Sequence, residues 1–221
     1  MPPSNESWKE REMVAQLERA PDLGAHRRLF TVEELLRMDA AGVLDPDERV
    51  ELLDGELIRM APIGTRHAAV VMWLNRRLTF ALERALVNPQ NSIRLGERSL
   101  PQPDITLLRY REDCYVTAHP RPEDVLLLIE VADSTVRLDR TIKGPLYGRS
   151  GISEFWLVDL QGDVLEVHRD PHPRQGYREV TRLVRGGTVR PLAFPELELA
   201  VGDVLGPAPV ADPVDSPAAG D

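Results

Sequence analysis

Residues 104–109 read DITLLR and residues 124–132 read DVLLLIEVA. Neither apolar run alternates with polar residues as a strand with one wet face would, so both are expected to be central strands covered on both sides. Each run carries an acid near its end: Asp104, after Pro103, opens the first, and Glu130 closes VLLLIE in the second. If the strands are antiparallel neighbours with Arg109 opposite Val125, Asp104 falls opposite Glu130, on the same face and about 5 Å away at Cβ. Two such charges repel by about 3 kcal/mol at an effective dielectric of about 20. A cation between them, or a proton on one, relieves the repulsion, and hard ions such as Mg²⁺ take oxygen ligands of this kind. A slip of one residue in register would instead send the two acids to opposite faces.

Working outward toward the C-terminus, a helical stretch is expected from about Val136 to Arg149. Asp139, Lys143 and Tyr147 fall on it at i, i+4 and i+8 and so share a face that can look back over the carboxylates. Gly144-Pro145 interrupts the pattern, which makes the placement of Tyr147 less secure than that of Lys143. Nearly every base in the chain is arginine, and only Lys9 and Lys143 are lysine. Unlike a guanidinium, an ammonium can lose its proton when its pKa is depressed, so Lys143 can activate or position a water. EFWLVD (154–159) reads as another strand. The short alternating pieces DVLEVHR, GYREVTRLV and a segment near LELAV read as a β-meander closing the sheet edge.

Toward the N-terminus, NSIRL (91–95) reads as a strand, and apolar residues at helical spacing predict one long helix from Thr65 to Val87. RVELLDGELIRMAP holds two β-prone runs around Asp54-Gly55, a hairpin signal. Thr31 and Glu34 form a capping box, with Phe30 and Leu35 as its hydrophobic staple, and Ser7 and Glu10 cap an earlier short helix over 8–20. The class is α/β or α+β, with a mixed central sheet flanked by helices. Three parts are expected: a helical extension over 1–25, a domain over 26–205, and a Pro/Ala/Asp-rich disordered tail over 206–221.

With 36 acids against 27 bases in 221 residues, the net charge of −9 counts against a general nucleic-acid coat protein but allows a local phosphate site. Purely apolar runs such as Val125 to Ile129 are far too short to span a membrane, and the N-terminus has no apolar signal-peptide core. A lone cysteine, Cys114, fits a reducing cytoplasm and shows no pattern for a thiol nucleophile. No phosphate-loop or dinucleotide glycine motif is present, so no nucleotide cofactor is expected.

ELLDGELIRMAP, PQPDITLL, LLLIEVADST and DRTIKGPLYGRSGISEFWLVDL together resemble the Uma-two restriction endonuclease family, part of the PD-(D/E)XK nuclease superfamily, from roughly Phe30 to Leu205. The resemblance implies a restriction-endonuclease-like core and Mg²⁺-dependent hydrolysis of DNA phosphodiesters, with Mn²⁺ as a substitute. It makes Pro103-Asp104 the PD element and Glu130 the (D/E) element, the two metal ligands. The superfamily pattern puts lysine two positions after the glutamate. Ala132 stands there, and Lys143 on the next helix matches the family's migrated lysine. Glu51 matches an early glutamate that helps a metal or its water, and His67 matches a histidine of unassigned role. Arg94, Arg98 and Arg109 are expected to grip flanking phosphates, and a homodimer would help cut both strands.

Blander readings stand beside these. Asp104 fits a turn acid and Glu130 a strand-end solvent residue. Asp139 and Lys143 fit an ordinary i, i+4 ion pair, and Glu51 an exposed hairpin glutamate. His168, Asp170 and His172 have a metal-like spacing but flank Pro171 in what reads as a solvated loop. A non-catalytic nucleic-acid- or protein-binding module on the same fold is the alternative to an enzyme.

Overall fold

The computed structural model describes residues 27–45 and 47–207. The expected helix over 8–20, the extension over 1–25 and the tail from 208 onward lie outside the described residues. Helix α1 (Val32–Ala40) opens with the Thr31–Glu34 capping box, and Phe30 packs with Val32 and Leu35 beneath it. Strands β1 (Val50–Leu53) and β2 (Glu56–Arg59) form the hairpin. Its two-residue turn takes Asp54 and Gly55 at φ 48 and 88, the positive pair that Asp-Gly tolerates best.

Helix α2 (Thr65–Ala81) ends earlier than its apolar spacing predicts, and Ala85–Pro89 is strand β3. Residues 85–87 are therefore not helical. Their apolar side chains are used at the sheet edge, where β3 pairs with β4 (Ile105–Arg109). NSIRL is not a strand either: it runs as irregular chain, held by Ile93 N–H to Pro101 and Leu95 N–H to Ser99. The six-stranded sheet has the order β3-β4-β5-β6-β7-β8, with β5 (Val125–Ala132), β6 (Glu154–Asp159), β7 (Val164–His172) and β8 (Gly176–Val184). Only β5 and β6 are parallel, so the sheet is mixed. The meander is shorter than expected. β7 and β8 extend the main sheet, but β9 (Thr188–Val189) and β10 (Leu199–Ala200) pair apart from it, before α5 (Val201–Val204).

The parallel pair requires a crossover, and the crossover is where the site is made. It consists of α3 (Val136–Leu138), a π turn over Asp139–Lys143, and α4 (Gly144–Arg149) in unbroken succession. The π turn carries the chain into Gly144-Pro145 without ending the helix, because Pro145 sits in the first turn of α4, where its missing N–H costs little. One sheet face packs against α2 and the C-terminal segments through Ile105, Leu107, Ile129, Val131, Trp156 and Val158. The other, through Leu128, Phe155 and Leu157, packs against Tyr147 of α4. Added Cβ atoms at Gly148 and Gly176 would fall 2.1 Å from the Gly176 carbonyl and 2.7 Å from Pro145, so α4 meets the start of β8 backbone to backbone. Among the described residues no helix is long and apolar enough to cross a membrane.

Candidate active site

Strand β4 pairs with β5 in the register Ile105↔Ile129, Thr106↔Leu128 and Leu107↔Leu127. Continued by one residue, that register sets Asp104 against Glu130. The expected pairing of Arg109 with Val125 does not occur: an irregularity between Leu107 and Leu108 brings Leu108 opposite Val125. The Asp104 N–H lies 3.4 Å from Glu130 Oε2, and Asp104 Oδ2 accepts from the Val131 N–H at 2.8 Å. The two acids are therefore stitched to each other's strands at one end of the β4–β5 pair.

The crossover helix delivers the cation. Lys143 Nζ is 2.7 Å from Glu130 Oε1, 3.1 Å from Glu51 Oε1 and 3.8 Å from Asp139 Oδ1. The Asp139–Lys143 pair is thus one edge of a buried cluster rather than a surface pair. Its side chains are 3–6% exposed, against 13% for Asp104, which stands at the mouth. Glu51 is buried, not an exposed hairpin residue, and also accepts from the Gln102 N–H at 3.0 Å. His67, in the first turns of α2, reaches Asp104 Oδ1 at 2.9 Å through Nε2. Tyr147, despite the Gly-Pro step, donates its hydroxyl to Glu130 Oε1 at 2.5 Å, and Thr135 donates to Asp139 Oδ2 at 2.6 Å.

Four carboxyl groups thus share one ammonium and one imidazole in a nearly dry space. Burial pushes Glu130 well above the usual carboxylate range, with Lys143 opposing and the neighbouring acids adding to the rise. Burial likewise lifts Asp139 to about 6, against the pull of Lys143 and Thr135. Burial alone would lower Lys143, but Glu130, Glu51 and Asp139 outweigh it and hold the amine well above its ordinary value. The surrounding acids thus favour the ammonium form of Lys143, where the sequence alone allows for a depressed amine. For His67 burial is outweighed by the Asp104 carboxylate, which raises the imidazole above 6.5.

The remaining sequence candidates fall elsewhere. Arg109 stands at the far end of β4, about 16 Å from Asp104 along an extended strand, and bonds the Glu123 carbonyl. Arg94 pairs with Glu33. His168 and His172 lie in β7 rather than a loop, and His168 is buried. Cys114 is exposed. Sequence reasoning missed Gln102, Thr135 and Arg66. The last, next to His67 in the first turn of α2, has a buried Nη2 with no hydrogen-bond partner.

Among the described residues no three or more His, Cys, Asp and Glu side chains form a ready-made metal cage. The donor set nevertheless fits Mg²⁺, which is commonly held by one or two carboxylates plus water and substrate phosphate. Asp104 and Glu130 provide such hard oxygens, with Asp104 the more exposed of the two.

A family model, Uma2, described as "Putative restriction endonuclease", matches residues 32–202. A crystal structure of a protein from Anabaena variabilis, described as a "putative nuclease belonging to DUF820", aligns with a TM-score of 0.61 and 17% identity, covering 80% of this chain and 97% of that one. At that identity the likeness shows a common fold. No curated protein matches the chain. The family match spans the whole six-stranded sheet, the crossover helix and every residue of the acidic cluster, and the chain belongs to the Uma2 family.

Proposed function

We propose that this chain is a metal-dependent endonuclease that hydrolyses DNA phosphodiester bonds, its nuclease unit spanning residues 26–205. One observation carries the reading: a buried cluster of carboxylates around Lys143, of which Asp104 is the most exposed. Structural ion pairs in proteins are ordinarily balanced, because an uncompensated buried charge is costly. A cluster left short of positive charge is suited to a cation, and the family is described as a restriction endonuclease family.

Asp104 and Glu130 would hold Mg²⁺, with Mn²⁺ as a substitute. When bound, the ion polarises the scissile phosphate and lowers the pKa of a coordinated water. His67 fixes the orientation of Asp104, and Tyr147 that of Glu130, as partners behind a ligand commonly do. Lys143, kept protonated by its acidic neighbours, donates hydrogen bonds to the charge that develops on the phosphoryl oxygens. Glu51 and Asp139 set the field that keeps it charged. The first turn of α2 has no side-chain cap on its N–H groups and carries Arg66 and His67, which suits it to a flanking phosphate.

Supercoiled plasmid incubated with the full chain and Mg²⁺ or Mn²⁺ tests this. Nicking is expected with metal, absent with chelator, and reduced at least about 100-fold in Asp104→Ala. Equal nicking by the variant, or none by the parent across duplex, single-stranded and RNA substrates, would favour the non-catalytic binding module.

A further inference from the structure

On the other side of the crossover helix lies a second polar site that the nuclease reading does not use. Register places Glu130, Leu157, Glu166 and Arg182 in one row across β5–β8, so Glu166 sits on the same sheet face as Glu130 with one strand between them. A cavity of about 280 Å³ opens there between the helix and the β7–β8 hairpin, lined among others by Arg140, Pro145, Glu166, His168, Tyr177 and Arg182. Two of its polar atoms are buried without a hydrogen-bond partner, Tyr177 Oη and His168 Nε2. The latter belongs to a side chain more than nine-tenths buried and stands 3.4 Å from Glu166 Oε2, a charged neighbour. Buried orphan polar atoms are rare and call for a partner.

The lining is rich in donors. Arg182 is 66% exposed and contacts Glu166 through Nη2 at 2.8 Å. Arg140 contacts Glu166 through Nε and Asp159 through Nη2. Glu166 and Asp159 balance the two guanidiniums in charge, while the Tyr177 hydroxyl is left without a hydrogen-bond partner. One wall is aromatic: the rings of His168 and Tyr177 line it with centroids 5.7 Å apart, and Phe155 backs them from the core.

We propose that this cavity binds a small phosphate ester carrying a planar ring, a nucleoside monophosphate being the chemical type. Its phosphate lies against Arg182 and Arg140, its polar atoms meet Tyr177 and His168, and its ring lies along the aromatic wall. Free mononucleotide and a strand terminus share this chemistry.

Isothermal titration of the full chain in chelator tests it, with 2′-deoxyadenosine 5′-monophosphate, inorganic phosphate, deoxyadenosine and a 5′-phosphorylated hexanucleotide as separate arms. The monophosphate is expected to bind with a Kd of about 10–500 µM, at least about tenfold tighter than phosphate or nucleoside alone. Arg182→Gln and Tyr177→Phe, an exposed residue and a lost hydroxyl, should each weaken it about five- to tenfold. Asp104→Asn should leave it within about twofold, separating this site from the nuclease centre. Tighter binding of the hexanucleotide through the same residues would identify a strand terminus as the source, and equal or weaker binding the free nucleotide. No saturable binding, phosphate binding as tightly as the monophosphate, or binding indifferent to Arg182→Gln and Tyr177→Phe would overturn the proposal.

Discussion

The two flanks of the crossover helix use the same kinds of charge to opposite ends. On one, Lys143 is nearly dry and faces Glu130, Glu51 and Asp139, with Asp104 close behind. On the other, three residues back, Arg140 spans Glu166 and Asp159 while Arg182 reaches in from solvent. The second flank is balanced, and Glu166 behaves accordingly: burial would raise it, but His168, Arg140 and Arg182 hold it down at about 2. The first flank is unbalanced, and burial raises Glu130 and Asp139 instead. Under the proposed function, the charge this flank lacks arrives with a bound cation.

The contrast breaks most visibly at the two cations. Lys143→Met leaves the acids without their ammonium and should cost about 3–5 kcal/mol in chemical denaturation. Arg140→Met, whose acid keeps Arg182, should cost about 1 kcal/mol. Similar costs for the two would erase the distinction. Gly148→Ala attacks what holds both flanks in place, because its methyl would collide with the Gly176 backbone. A loss of about 3 kcal/mol or more is expected, and an unchanged melting temperature would mean α4 is not wedged on β8.

Smaller effects sharpen the picture. Tyr147→Phe should weaken Mn²⁺ binding about tenfold while stability falls by only about 1 kcal/mol. A drop in stability with metal affinity intact would make the hydroxyl merely structural. On the balanced flank, Glu166 has a lower pKa folded, about 2, than unfolded, near 4.5. Its contribution is therefore fully present above about pH 4.5 and lost as pH falls toward 2. Glu166→Gln should flatten acid denaturation across that window, by about 1 kcal/mol.

What could be read beforehand follows the range of the forces involved. The central strands declare themselves because residues buried on both faces, such as Leu127 and Leu128, leave an unbroken apolar run. Thr31–Glu34 and Asp54-Gly55 act through local hydrogen bonds and backbone angles, and local sequence carries them. The helix end at Ala81 and the irregular path of NSIRL were illegible because the apolar spacing of 85–87 fits a helix and an edge strand alike. In the site, Asp104 and Glu130 were legible through register. Lys143 was legible as a position but not in its protonation, since the acids that fix it come from Glu51, Glu130 and Asp139 on separate elements. The burial of Glu51 depends on the hairpin folding over Gln102, 51 residues away, which no local pattern encodes. Tyr147 looked insecure after Gly144-Pro145 only because a π turn leaves no mark in spacing.

The acidic flank is proposed to hold a divalent cation through Asp104 and Glu130. The most direct measurement is Mn²⁺ binding to the full chain, followed by the loss of free-ion paramagnetic resonance signal, for the parent, Asp104→Asn, Glu130→Gln and Arg182→Gln. The parent and Arg182→Gln should take up the ion with matching affinity, and each acid variant should bind it at least about tenfold more weakly. A parent that leaves the ion in solution, or acid variants that bind it unchanged, would contradict the account.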